Sequence, residues 1–136
     1  MTALQYVYIY LLTVPIFFAV DMLWLGVFAR NIYREYLGYL LRDPINWSAA
    51  FIFDFIFMVG LLYFAVIPAL KEGSLMNAAI YGALFGFFTY ATYDLTNLAT
   101  VKDWPLAISL IDMAWGTVLS ATVATLSFLA ARTFVL

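Results

Sequence analysis

The chain has 136 residues, 67% of them hydrophobic and 10% charged, with a mean hydropathy of +1.01; no water-facing surface can cover that composition, so lipid must solvate most of it. It contains no Cys and no His, which excludes disulfides, thiolate metal sites and iron–sulfur clusters, along with the commonest haem and zinc ligand and the usual general base of serine or cysteine nucleophiles. The formal charge of −2 hides a mildly basic exterior: four of the eight acidic residues fall inside apolar runs, leaving four against six basic groups, about +2, in loops and ends.

Four apolar runs, 4–28, 48–70, 75–98 and 106–131, are each about long enough to cross roughly 30 Å of hydrocarbon at 1.5 Å per residue. They predict an all-α membrane protein: one transmembrane domain over 1–136, folded as a four-helix up-down-up-down bundle without a soluble domain. The first run lacks a basic leader, is too long for a signal-peptide core and carries Asp21, so it is expected to remain in the mature protein.

Between the first two runs, Ile32, Tyr33, Tyr36, Leu37, Leu40 and Leu41 recur at helical spacing, opposite Arg30, Arg34, Glu35 and Arg42. This pattern predicts an amphipathic helix lying in the membrane interface, with a basic loop as the plainer alternative. Asp43 before Pro44 is a natural stop, and Trp47 marks the interface where the second run begins. Only Lys71, Glu72, Gly73 and Ser74 separate the second and third runs, so these form a tight antiparallel hairpin, with Pro68 loosening the end of the incoming helix. A short segment, 100–105, joins the third and fourth. Arg30, Arg34, Arg42 and Lys102 on one side, against Lys71 and Arg132 on the other, favour the first and third connections in the cytoplasm and both termini outside.

Each run carries one aspartate: Asp21, Asp54, Asp94 and Asp112. Asp21 precedes the first connection by about two helical turns and Asp54 follows Trp47 by a similar distance; Asp94 and Asp112 stand likewise about Lys102 and Trp104. Because alternate helices run in opposite directions, the four carboxyls share one depth on one side of the bilayer. A charged Asp near a helix centre costs roughly 2.5 to 3.5 kcal/mol on an insertion scale, so protonation, pairing, hydrogen bonds or a wet cavity must relieve them. At least two are expected to be neutral near pH 7 or to share protons. No Lys or Arg lies within the runs, which leaves neutral donors: Tyr90, Tyr93, Thr96 and Asn97 around Asp94, and Trp24 and Trp115, each three residues after an Asp.

The plainer reading is a hydrogen-bonded clamp that holds the bundle together. Gly82, Gly86, Tyr90, Asp94 and Asn97 form one stripe of the third run, and Asp112, Gly116 and Ser120 repeat the theme in the fourth, predicting the seam between these helices. Val20-Asp21-Met22-Leu23-Trp24 and Ile111-Asp112-Met113-Ala114-Trp115 both read apolar-Asp-Met-x-Trp, a short match of the kind an inverted repeat leaves.

Trp24-Leu25-Gly26, the run YATYDLTNLAT at 90–100, Trp104-Pro105 and Asp112-Met113-Ala114-Trp115-Gly116-Thr117 together resemble the small bacterial inner-membrane proteins known only as domain of unknown function 2177. The resemblance covers nearly the whole chain. It implies a multi-pass protein of the bacterial inner (cytoplasmic) membrane and brings no activity or catalytic residue with it.

Three functions fit these features, and whether the protein is an enzyme stays open. The leading one is binding or transport of a hydrophobic or lipid-like small molecule, with candidate binding residues Asp21, Asp54, Asp94, Asp112, Tyr90, Tyr93, Asn97, Trp24 and Trp115. A second is an accessory or structural subunit of a larger membrane complex. The third is a membrane enzyme using paired carboxylates as acid and base, as holders of Mg²⁺ for a diphosphate, or as an aspartic-protease-like dyad of Asp94 and Asp112. Against the dyad, the Gly-x-Gly-Asp expected of an intramembrane aspartyl protease is replaced by Ser109-Leu110-Ile111-Asp112. Membrane lipids are the expected partners, with a larger membrane complex or a homo-oligomer compatible and nucleic acid not. The cofactor is unknown and no resident metal is expected.

Overall fold

A computed structural model of the chain describes residues 1–136 apart from Arg30 and Asp43 and the side chain of Phe28. Its elements are α1 (Ala3–Leu23), continued by a π-helical turn (Trp24–Phe28); α2 (Ile32–Leu37); α3 (Trp47–Leu61), continued through a second π-helical turn (Leu62–Val66) into α4 (Ile67–Glu72); α5 (Leu75–Thr100); and α6 (Leu106–Phe134). Among the described residues there is no strand.

Local chemistry fixes where the long rods begin and end. Thr2 accepts from the Gln5 amide at 3.2 Å while the Gln5 side chain accepts from the Thr2 amide at 2.8 Å, a reciprocal cap that satisfies donors at the head of α1. Asn46 and Ser74 cap α3 and α5 by accepting from Ala49 and Asn77. Gly73 closes α4 at φ 66°, a left-handed conformation that glycine adopts without a Cβ penalty, and the Ser74 amide then donates back to the Ala69 carbonyl at 3.1 Å. Pro68 does not end its helix. The rod widens just before it, with the Ile67 amide reaching the Leu62 carbonyl, which makes room for a ring that lacks a donor and crowds the preceding turn.

Ala3–Val27, Trp47–Glu72 and Leu106–Phe134 are long and apolar enough to cross a membrane. That makes three such helices among the described residues where the sequence reading expected four runs. The difference lies in α5, whose length is sufficient but whose Tyr81, Thr89, Tyr90, Asp94 and Asn97 dilute its apolar character. The outer surface is apolar, with Ile56 65% and Phe88 62% exposed.

The largest helix–helix interface joins α5 and α6, which run antiparallel. A Cβ on Gly82 would stand 2.6 Å from the Ser120 carbonyl oxygen and 2.7 Å from the Ala124 Cβ; one on Gly86 would overlap the Gly116 carbonyl oxygen; one on Gly116 would overlap the Tyr90 ring. Each step of four residues up α5 thus meets a step back along α6, and the small residues let the two backbones touch. Against this pair lie α1 and the α3–α4 rod, with Ile9, Phe17, Met58, Leu61, Leu119 and Val123 in the shared core. Thr13 of α1 donates to the Ile9 carbonyl at 2.8 Å and to Ser127 of α6 at 3.1 Å.

The amphipathic segment after the first run is helical only over Ile32–Leu37, shorter than its periodicity predicted. Leu37 is buried and Tyr33 and Tyr36 are half-buried, but the chain turns at Gly38, and Leu40 and Leu41 are about half exposed. Glycine weakens the helix there by its backbone entropy. The Arg30 cation and the Asp43 stop lie outside the described residues.

Candidate functional site

Four long helices, α1, α3, α5 and α6, converge with the short α2 at the end of the molecule where α1 finishes and α3 begins. Asp21 of α1, Asp54 of α3 and Asp112 of α6 line a single cavity of about 240 Å³. The charges of Asp21 and Asp54 are close enough to interact. No Lys or Arg among the described residues lines this hollow.

Aromatic rings form its walls. Trp24 and Trp115 stack with ring centroids 4.4 Å apart and planes 8° from parallel, and both face the cavity with Trp47 and Tyr90. The π-helical turn that follows α1 carries Trp24; the wider turn re-aims the residues that follow Asp21, a local feature often found at functional sites. Tyr90 is held from behind by Gly116, because any side chain there would occupy the place of its ring. Its hydroxyl lies in the electrostatic field of all four aspartates.

A hydrogen-bond chain crosses the site. The Trp24 indole donates to the Tyr33 hydroxyl at 3.3 Å, and that hydroxyl donates to Asp112 Oδ1 at 2.7 Å. Burial, and after it the adjacent Asp112, push the Tyr33 phenol well above the ordinary tyrosine range, so it remains a donor at any physiological pH. On its other side Asp112 meets Asp94, the two carboxyls being within hydrogen-bond reach. Asp94 is 1% exposed, and its Oδ2 accepts from no donor. Two ionised carboxylates offer each other no hydrogen, so a direct hydrogen bond between them would require a shared proton.

Six of the nine candidate residues therefore share one cavity: Asp21, Asp54, Asp112, Tyr90, Trp24 and Trp115. Asp94 lies behind Asp112 and lines neither this hollow nor its neighbour. Tyr93 lines the neighbour, a hollow of about 400 Å³ that also touches Tyr90 and Asp112, and packs edge-on against Trp104. Asn97 lies one helical turn beyond Tyr93 on α5 and reaches neither hollow. Among the described residues, no three Asp or Glu side chains come together at the spacing that holds a metal ion.

Sequence reasoning missed Tyr33, the direct donor to Asp112. Its place on the apolar stripe of the first connection suggested burial in lipid, although a tyrosine whose body is buried needs a partner for its hydroxyl, and that was the available signal. A larger hollow, a groove of about 880 Å³ touching Tyr6, Tyr10, Tyr63 and Phe64, lies toward the opposite end beside Lys71 and Glu72, and no aspartate among the described residues lines it.

A family model described as "Predicted membrane protein (DUF2177)" matches residues 6–129. No curated protein and no solved structure matches the chain.

Proposed function

We propose, from the premise that this chain belongs to the DUF2177 family of predicted membrane proteins, that it binds or transports a hydrophobic or lipid-like molecule, holding its polar head at the aspartate-lined cavity. The observation that carries this reading is the convergence of Asp21, Asp54 and Asp112, from three different helices, on one aromatic-walled hollow with no basic counter-charge among the described residues. Carboxyls placed this way are costly in an apolar setting, and ionisable groups inside a membrane characteristically face a bundle interior or a wet pathway.

In this reading the protein crosses the bacterial inner membrane four times, up-down-up-down, with α2 in the interface. The support for counting α5 as a span is its backbone contact with α6 from Gly82 to Tyr90: a helix in antiparallel register with a spanning helix crosses the same slab. Its 26 residues reach about 39 Å at 1.5 Å per residue, enough for the hydrocarbon layer. Its polar residues then have a place, since they meet the other helices and the cavity instead of lipid.

The enzyme reading draws on the close approach of Asp94 and Asp112. It is the weaker one, because an acid–base dyad needs both carboxyls at the substrate and only Asp112 faces a hollow. Asp94 is placed to store a proton, not to attack.

The test is gentle purification of the tagged protein from its own membrane, with mass spectrometry of every small molecule and protein that accompanies it. The expected result is the chain alone or as a homo-oligomer, carrying one specific lipid-soluble molecule that is lost in Asp112→Asn. Recovery in a fixed ratio with a larger membrane complex, and with no small molecule, would replace this reading with that of an accessory subunit.

A further inference from the structure

We propose that the molecule held at the aspartate cavity is an organic cation, an ammonium-type head on a hydrophobic body, and that its entry displaces the proton shared by Asp94 and Asp112. This rests on the binding reading above and narrows it to one ligand class.

Charge comes first. Asp21, Asp54 and Asp112 line the hollow and, among the described residues, no Lys or Arg does, so these carboxyls repel a phosphate or carboxylate head. A neutral head leaves the three carboxyls without a counter-charge, and two of the donors lining the hollow are already engaged, the Trp24 indole on Tyr33 and the Tyr33 hydroxyl on Asp112. An ammonium needs no donor. Its charge is met by the carboxyls and by aromatic faces, and Trp24, Trp115, Trp47 and Tyr90 supply four of these around one hollow. Size agrees as well. At about 240 Å³ the cavity falls below the roughly 300 to 1,000 Å³ of pockets that enclose whole drug-sized ligands, so it admits a head and leaves an apolar body to the membrane.

A second, independent observation marks the cluster as built for exchange. Asp94 is almost completely buried, its Oδ2 has no donor, and its carboxyl faces Asp112. A clamp would bring each buried oxygen a partner, because an unsatisfied one costs about 1–3 kcal/mol. The groups facing Asp112 are Tyr33 from α2, Asp94, Tyr90 and Tyr93 from α5, and, across the hollow, Asp21 from α1 and Asp54 from α3. Among the described residues, none of the groups facing Asp112 carries positive charge. When a cation arrives beside Asp112, the proton held with Asp94 leaves to water; one positive charge enters, one departs, and no covalent bond other than O–H is made or broken.

The experiment uses the purified full chain in lipid nanodiscs with three probes of one shape: benzyltrimethylammonium, its uncharged carbon isostere neopentylbenzene, and benzylphosphonate. Binding is read by tryptophan fluorescence and calorimetry, and proton release by repeating the calorimetry in buffers of different ionisation heat. The expected result is an ammonium Kd at least about tenfold below that of neopentylbenzene, equivalent to about 1.4 kcal/mol, no phosphonate binding, and about one proton released per cation. Asp94→Asn should keep the cation preference and abolish proton release, since an amide can donate to Asp112 without a proton to give up. If neopentylbenzene binds as tightly as the cation, the ligand class is wrong while the binding reading stands. A cation preference without proton release in the unaltered protein overturns the exchange. If no probe binds, whatever its charge, both readings fall together.

Discussion

The two ends of the α5–α6 pair handle buried polar groups in opposite ways. Toward the end near Arg132, the buried hydroxyls of Thr13 and Ser127 are joined by a hydrogen bond, and Thr13 also uses its own helix backbone; the glycines beyond them bring backbone against backbone without a gap. Toward the Asp112 end the same seam opens. Tyr90 lies over Gly116, two carboxyls confront each other with an unsatisfied oxygen, and a cavity follows. Polar residues alone therefore do not distinguish structure from function in a membrane-class bundle. Space and charge do: the packed seam holds the unpartnered Ser120 hydroxyl against Gly86, whereas the open end sets carboxyls around a cavity.

The sharpest way to break this contrast is to damage the closed part. Gly86→Ala drives a Cβ into the Gly116 carbonyl oxygen and the Ser120 side chain, and backbone cannot yield as the end of a flexible side chain can. Overpacking of this kind costs about 1–3 kcal/mol, and the upper end is expected here, together with loss of the cavity as Tyr90 is pushed off Gly116. Mild-detergent thermal unfolding checks it; a variant as stable as the parent would mean that the two helices are not in contact as described.

Much of this contrast was legible in the sequence, and the reason is geometric. The Gly82, Gly86, Tyr90, Asp94 stripe has a fixed helical spacing, so it marks one face whatever that face meets, and the face proved to be the one against α6. Caps such as Thr2 with Gln5, and Ser74 after Gly73, are local and bind the helix boundaries to the chain. That the four aspartates gather at one end of the molecule was readable by counting residues from the connections. Rotation was not: counting cannot say that Asp94 turns toward Asp112 while Asp21 turns toward Asp54, because that depends on how each helix is rolled in the packed bundle. The π-helical turn at Trp24 adds to the difficulty, since it shifts every later side chain around the axis and leaves no mark in hydrophobic periodicity. Tyr33 was hidden for a related reason. Its partner is 79 positions away in sequence, beyond any local pattern.

A smaller effect, opposite in sign, tests the open part. Asp94→Leu replaces the unsatisfied carboxyl with an apolar side chain of similar size, and Tyr33 still donates to Asp112. Stability is expected to rise by about 1 kcal/mol, the lower part of the penalty for an unpartnered buried polar group, while proton release on cation binding is lost. A clear loss of stability would make Asp94 a structural clamp.

The smallest effect returns to the closed end and calibrates the other two. Thr13→Val keeps the shape of the side chain and removes the hydrogen bond to Ser127. Interhelical bonds of this kind average about 0.6 kcal/mol in a membrane setting, so a loss of roughly that size is expected with no change in ligand retention. The value depends on the partner left behind: Ser127 is 1% exposed, but a serine on a helix can turn its hydroxyl back to its own backbone, as Thr13, Thr89 and Thr125 already do, so no orphaned group remains. Asp94 has no such retreat, since its buried Oδ2 has no donor within reach. A Thr13→Val penalty as large as that of Gly86→Ala would show that the closed end depends on its polar bond more than on its packing, and would remove the ground for treating the two ends differently.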